Sequence, residues 1–74
     1  MPKLPVISGR DLAKVLTKMG FIMKSQNGSH IILKRETDGL RLSVPDHKEL
    51  DKGTLNGLIK DAGLSRTELM KLLK

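Results

Sequence analysis

The sequence contains no cysteine, tryptophan or tyrosine, and Phe21 is its only aromatic residue. Without cysteine, neither a disulfide nor a cysteine-based zinc site can reinforce the fold, which suits a reducing cytoplasm. Modules that bind single-stranded nucleic acid by stacking its bases need several exposed aromatic rings. The shortage of aromatic residues therefore argues against platforms of the RRM or OB type.

Long apolar segments are also missing. No apolar run approaches the roughly 18 residues of a membrane span, and residues 1–7, interrupted by two prolines, are too short for a signal peptide. We therefore expect a cytoplasmic protein with no membrane partner, folded as one domain over residues 1–74. A chain of 74 residues buries only about 60–65% of the surface that its unfolded form exposes, so we expect modest stability.

The sequence lacks a cluster of metal ligands as well. Its two histidines, His30 and His47, are 17 residues apart, and its acidic residues are scattered through predicted loops. Such spacing does not match the grouped ligands of zinc or calcium sites. We expect neither a metal site nor a cofactor.

Acidic residues are scarce in the first half of the chain. The whole sequence has 14 Lys and Arg against 8 Asp and Glu, which gives a net charge of +6 and a pI near 10.0. Residues 1–35 hold seven cations and a single acid, Asp11, so this half alone carries +6, whereas residues 36–74 hold seven of each sign. A positive excess confined to one part of a chain indicates a polyanionic partner, and nucleic acid is the main candidate.

The first predicted helix begins at Ser8, with Asp11 as an acidic variant of the capping box, and ends at Gly20. Its apolar residues recur at helical spacing and form a core stripe: Leu12, Val15, Leu16 and Met19. On the opposite face, cations follow one another at every fourth position: Arg10, Lys14 and Lys18. This row is either a solvated charged face or a contact surface for phosphates.

Three strands are predicted after this helix, at residues 21–25, 29–35 and 40–44, joined by turns at residues 26–28 and 36–39. The third strand alternates cleanly between apolar and polar residues: Leu40, Leu42 and Val44 on one face, Arg41 and Ser43 on the other. One face of the sheet is therefore expected to pack under the helices.

Strand parity divides the side chains of the second strand in the same way. If Ile31 and Leu33 join the apolar face, then His30 and Lys34 point outward together with Arg41. A polar loop then leads to a helix ending at residue 62, and a capping box at residues 65–68 begins a last helix. The order predicts an α+β fold in which helices cover one face of a three-stranded antiparallel sheet.

The segment from Asn27 to Arg35 is the best candidate for a functional site. Gly28 provides a turn that leads to His30 at the start of a strand, and the strand ends in two cations, Lys34 and Arg35. An imidazole changes charge near neutral pH and can take or give a proton, while lysine and arginine bind phosphate. The alternative is that His30 is simply a solvated strand residue.

Several short motifs resemble those of one family, the small HicA-type toxins of bacterial and phage toxin–antitoxin pairs. The matching segments are Leu4-Pro5-Val6-Ile7-Ser8-Gly9, Gly20-Phe21, Gly28-Ser29-His30, Val44-Pro45 with His47, Leu50, Gly53-Thr54-Leu55, and Ile59 with Ala62-Gly63-Leu64. Gly-Ser-His alone is not specific, but the whole set, at these separations, covers nearly the entire chain.

The resemblance implies a double-stranded-RNA-binding-domain-like (dsRBD-like) α-β-β-β-α fold, here with an extra C-terminal helix. It also implies a toxin that is an endoribonuclease cleaving messenger RNA and that is blocked by an antitoxin of HicB type. The active-site histidine of the family corresponds to His30, whereas His47 matches in position only. Whether residues 65–74 pack on the domain or take part in dimerisation is left open.

The residues themselves allow three functions. In a metal-independent ribonuclease, His30 is the general base and nearby cations stabilise charge on the phosphate. The residues expected to contact RNA are Arg10, Lys14, Lys18, Lys24, Lys34, Arg35 and Arg41. A double-stranded RNA-binding module without catalysis fits the same charges. The third possibility is a protein-interaction domain whose basic face binds an acidic partner.

Overall fold

Three helices and three strands follow one another in the order α-β-β-β-α-α. A computed structural model of the chain describes residues 4–73, so residues 1–3 and 74 of the predicted domain lie outside the described residues. The elements are α1 (Gly9–Lys18), β1 (Phe21–Asn27), β2 (His30–Arg35), β3 (Leu40–Pro45), α2 (Lys52–Ala62) and α3 (Arg66–Leu72). The predicted dsRBD-like α+β order with an extra C-terminal helix is confirmed.

The three strands form one antiparallel sheet in the order β1-β2-β3, and the helices lie on one of its faces. Ile31 and Leu33 of β2 pair with Val44 and Leu42 of β3, and all four side chains are buried. The apolar face predicted from strand parity is therefore correct. The buried core joins this face to the helices and comprises Ile7, Leu12, Ala13, Val15, Leu16, Phe21, Ile31, Leu33, Leu42, Val44, Leu50, Leu55, Ile59, Ala62, Leu64 and Leu69.

Helix α1 begins where the sequence predicts, because the hydroxyl of Ser8 accepts a hydrogen bond from the Asp11 amide at 3.0 Å. The next residue, Gly9, approaches the end of β3 so closely that a β-carbon there would overlap the carbonyl oxygen of Pro45. Its amide donates to the carbonyl oxygen of His47 at 2.9 Å. The start of α1 is thus held against the chain that leaves β3.

The first hairpin turn begins two residues later and ends one residue later than predicted. Asn27 pairs with His30, so the connection consists of Gly28, at φ +62°, and Ser29, whose φ is not positive. Glycine at the first of two central positions is typical of a type II′ turn. The prediction was displaced because β1 contains a bulge at Lys24, between Met23 and Ser25, which lengthens the strand by a residue that sequence alone does not reveal.

The C-terminal segment packs on the domain. Helix α2 is capped by Asp51 and ends at Gly63, and α3 begins with the predicted capping box of Ser65 and Glu68. Leu69 is fully buried, and the α3 end is tied to α1 by a 2.7 Å hydrogen bond from Lys18 Nζ to the Leu72 carbonyl oxygen. No helix among residues 4–73 is long and apolar enough to cross a bilayer.

Candidate nucleic-acid interface

His30 is the first residue of β2, and its side chain is exposed on the side of the sheet away from the helices. Its cross-strand partners are Asn27 and Pro45, neither of which is charged. The Ser29 hydroxyl oxygen lies 3.5 Å from His30 Nδ1, at the outer limit for a hydrogen bond. The imidazole is therefore accessible from solvent and only weakly held by its neighbour.

The strand register defines what else lies on this side. Residues paired across an antiparallel sheet point to the same face, so three rows of side chains follow from the pairing of β1, β2 and β3. We call them the open sheet face: Asn27, His30 and Pro45; then Ser25, Ile32 and Ser43; then Ile22, Lys34 and Arg41. A shallow hollow of about 490 Å³ lies in its middle, lined by Ser25, Asn27, Ile32, Arg41, Leu42 and Ser43.

Two predicted RNA-binding cations, Lys34 and Arg41, are direct cross-strand partners on the open sheet face. Like charges in this arrangement repel each other. Among residues 4–73 neither side chain forms an ion pair, although the carboxylate of Glu36 is close enough for the charge of Lys34 to contribute to its lowered pKa. The larger cause of that lowered pKa is the hydrogen bond from Lys24, which lies 2.8 Å from Glu36.

The helix row of Arg10, Lys14 and Lys18 is exposed on α1, on the opposite side of the sheet from His30. Two of its three cations have partners within the protein. Arg10 Nε lies 3.2 Å from an oxygen of Asp46, and Lys18 caps α3. The structure therefore does not place this row beside the histidine.

Arg35 has a different environment from its neighbour Lys34, because successive strand residues point to opposite faces. Its guanidinium is 5.0 Å from the ring centre of Phe21, donates two hydrogen bonds to Asp38 and donates a third to the carbonyl oxygen of Ala62. The pKa of Asp38 is lowered to about 2, chiefly by the hydrogen bonds from Arg35 and also by that from the Leu40 amide. Arg35 thus joins the hairpin turn to the end of α2, away from His30.

His47 lies in the exposed loop after β3, where it borders a small hollow with Ser8, Arg10, Asp46 and Lys48. Its carbonyl oxygen, rather than its ring, makes the contact with Gly9. Among residues 4–73, no three His, Cys, Asp or Glu side chains are grouped closely enough to hold a metal ion.

Sequence reasoning missed two features of this region. Ser25 and Asn27 line the hollow near His30 only because the bulge in β1 shifts their register, and no sequence pattern marks that bulge. Asp46 contacts Arg10 and also Gln26, residues separated from it by 36 and 20 positions. Only the tertiary fold brings these three together.

Comparison with known proteins identifies the family. A search of curated proteins found no match. A family model described as the HicA toxin of bacterial toxin–antitoxin pairs matches residues 9–64, which include α1, the whole sheet and α2. Since this match spans well over half of the 74 residues, the chain belongs to the HicA family of bacterial toxins.

Proposed function

We propose that this toxin is a metal-independent endoribonuclease that cleaves messenger RNA, with His30 as its general base. The observation that carries the proposal is an accessible imidazole on the same open sheet face as Lys34 and Arg41. As a toxin of a toxin–antitoxin pair, the chain has a cognate antitoxin. We propose that this antitoxin is of HicB type and that it presents acidic residues to the basic protein.

The chemistry needs little from the protein, because RNA carries its own nucleophile. In the proposed reaction, neutral His30 takes the proton of a ribose 2′-hydroxyl, and the 2′-oxygen attacks the adjacent phosphorus. The bond from phosphorus to the 5′-oxygen breaks, which leaves a 2′,3′-cyclic phosphate; the departing 5′-oxygen takes a proton from water, and protonated His30 returns its proton to solvent. General acid–base catalysis contributes typically about 10²–10⁴-fold, so we expect a slow enzyme.

Lys34 and Arg41 bind RNA at a distance from the reacting phosphate. Lys34 lies four positions after His30, which is about 13 Å along β2. We propose that the two cations hold phosphates further along the same RNA strand. The hollow beside Arg41 is lined in part by Ser25 and Asn27, whose side chains can form hydrogen bonds with the nucleotides. Phe21 is buried, so phosphate contacts rather than stacking on it supply the affinity.

A double-stranded RNA-binding module without catalysis is the second candidate. It is favoured by the dsRBD-like order of elements and by the exposed helix row of Arg10, Lys14 and Lys18. Domains of that class recognise duplex shape and phosphates across two successive minor grooves. In this case His30 would have no chemical role.

The two candidates are separated by cleavage and binding assays on the purified protein. We expect the wild type to cut a single-stranded RNA oligonucleotide, and His30→Ala to lower the rate by about 10²–10⁴-fold while RNA affinity stays the same. His47→Ala is the matched control, since it removes the only other imidazole, and should cleave normally. The wild-type rate should fall below about pH 6, where an imidazole becomes protonated and cannot act as a base.

The same variants can be induced in cells, with growth and the integrity of several messenger RNAs as readouts. Growth arrest with fragmented RNA for the wild type and His47→Ala, but not for His30→Ala, is the expected result. A wild type that binds duplex RNA and never cleaves any RNA would establish the binding module instead.

A further inference from the structure

The carboxylate of Asp46 joins two elements that are distant in the sequence. One oxygen accepts a hydrogen bond from Gln26 Nε2 of β1 at 2.8 Å, and the other accepts from Arg10 Nε of α1 at 3.2 Å. The backbone amide of Asp46 donates to the carbonyl oxygen of Ser29 at 2.6 Å. Asp46 therefore contacts the start of α1, the end of β1 and the turn between β1 and β2.

These contacts surround His30 without touching its ring. Ser29 immediately precedes His30, and Pro45, the residue before Asp46, is the cross-strand partner of His30. Gln26 is one residue before Asn27, the other partner of His30. Three neighbours of His30 in the sheet and the turn are thus fixed directly or through the chain by Asp46.

We propose that Asp46 is a positioning residue that holds the β1–β2 turn in register and thereby fixes the place and orientation of His30. This inference rests on the proposed ribonuclease function. Asp46 itself is not placed to take part in the chemistry. Gln26 pairs with Ile31 and so lies on the helix side of the sheet, and the carboxylate bonded to it is there too, whereas His30 is on the open sheet face.

The two side-chain partners of Asp46 differ in what they restrain. Gln26 belongs to the strand that carries the turn, so its hydrogen bond acts on the position of His30 within a few residues. The Arg10 side chain is 75% exposed, whereas that of Asp46 is only 17% exposed, and an exposed ion pair contributes little. We expect the loss of Gln26 to disturb the turn more than the loss of Arg10.

The test compares Asp46→Ala, Asp46→Asn and Gln26→Ala with Glu49→Ala, an exposed acidic residue of the same loop that serves as the control. We expect Asp46→Ala to lower kcat by tenfold up to about 100-fold with KM nearly unchanged, because displacement of a catalytic group by about 1 Å has an effect of that size. Asp46→Asn should recover part of the rate, since its amide oxygen can still accept from Gln26. Glu49→Ala should cleave like the wild type.

Amide hydrogen exchange without RNA provides a second, activity-independent measurement. In Asp46→Ala, the amide of residue 46, which donates to the Ser29 carbonyl oxygen of the turn, should exchange faster, while that of the buried strand residue Leu33 stays protected. A normal kcat in Asp46→Ala, or a raised KM with normal kcat, would overturn the positioning role. A lowered kcat with unchanged exchange would also overturn it, since Asp46 would then act on the reaction directly.

These outcomes are distinct from failure of the ribonuclease proposal. If the wild type itself cleaves no RNA, both the ribonuclease function and the proposed effect of Asp46 on catalysis are wrong. Faster amide exchange in Asp46→Ala would then still show that Asp46 restrains the turn. If the wild type and Glu49→Ala cleave, His30→Ala does not, and Asp46→Ala cleaves normally, only the positioning role fails.

Discussion

The two basic surfaces of this toxin carry charge of the same sign but affect its stability in opposite ways. On α1, Lys18 is bonded to the end of α3 and helps to hold the fold together, and the exposed Arg10 already has a partner in Asp46. On the open sheet face, Lys34 and Arg41 oppose each other across neighbouring strands, which opposes folding. The sheet cations lower the stability of the protein and no ion pair within residues 4–73 neutralises them, so binding of an external anion best explains their presence. The α1 cations that already have partners within the protein need no such explanation.

Strand parity predicts that Lys34 and Arg41 share the outward face with His30, but the sequence alone does not show how these two cations and the helix row are placed relative to each other. The structure separates them by the full thickness of the sheet, with His30 on the side of Lys34 and Arg41. The sheet cations are therefore the better candidates for contact with the RNA that His30 would cleave. Four predictions test this comparison.

The largest expected effect concerns the assignment of the two sheet faces. Leu33→Ala should lower the free energy of unfolding by about 2–5 kcal/mol, since Leu33 has no exposed surface and its truncation leaves a cavity in the core. Ile32→Ala, its neighbour on the open sheet face, should cost clearly less because Ile32 is only partly buried. Chemical denaturation measures both. Equal losses would mean that the two faces are packed alike, and the open face would no longer be available to RNA.

The second prediction compares the two surfaces as RNA contacts. Removing both sheet cations, in Lys34→Gln with Arg41→Gln, should weaken binding of a long single-stranded RNA. It should also reduce the slope of log K against log salt by about 1.4, the value for two phosphate contacts on a single strand. Fluorescence titration at several salt concentrations gives this slope.

Two controls interpret that result. Lys60→Gln with Lys71→Gln removes the same net charge from exposed positions on α2 and α3, and should change the slope less. Lys14→Gln tests the helix row at its middle position. If Lys14→Gln reduces the slope more than the double substitution of Lys34 and Arg41 does, RNA binds at α1 rather than at the open sheet face. That result would favour the duplex-binding module.

The buried face of the sheet could be predicted from the sequence. Alternation of Leu40, Leu42 and Val44 with polar residues was enough to predict which face of the sheet is buried, because side-chain direction has a strict period of two in a strand. The same period separates Lys34 from Arg35, which charge counting had grouped together. Arg35 remains a predicted RNA contact, but its guanidinium already has partners in Asp38 and Ala62.

Other parts of the site lay beyond sequence reasoning. The position of the turn before His30 depends on the bulge at Lys24, and a bulge is decided by the pairing of two strands rather than by either strand alone. The contacts of Asp46 with Arg10 and Gln26 depend on chain segments that are brought together only by the complete fold. His30 itself was found from a local motif, and its catalytic role remains a prediction.

The third prediction is that charge removal has opposite effects on the stability of the two surfaces. Lys18→Gln should destabilise the protein by about 0.3–1 kcal/mol, because a cation at a helix C-terminus is favourable and Lys18 bonds the last carbonyl group of α3. Arg41→Gln should instead stabilise it by about 0.2–1 kcal/mol, because it relieves repulsion with Lys34. Denaturation at low salt measures both changes, and both should shrink at high salt. Destabilisation by Arg41→Gln would mean that the sheet cations also serve the fold.

The smallest expected effect concerns Arg35, the neighbour of Lys34 in β2, and the pH dependence of the stability that it provides through Asp38. Hydrogen bonds from Arg35 and, second, from the Leu40 amide lower the pKa of Asp38 to about 2 from an ordinary value of 3.8, so the folded state favours the charged carboxylate. This contribution to stability is fully present above about pH 4 and is lost as the pH falls from there towards 2. Asp38→Asn should therefore reduce the loss of stability in this range and leave a smaller difference from wild type at pH 2 than at pH 7. The lowered pKa values of Glu36 and Asp51 act in the same direction and remain in the variant, so the difference between the two denaturation curves isolates Asp38. If the curves stay parallel from pH 7 to pH 2, the Arg35–Asp38 pair does not stabilise the fold, and the Ala62 carbonyl oxygen and the Phe21 ring would be the partners that hold Arg35.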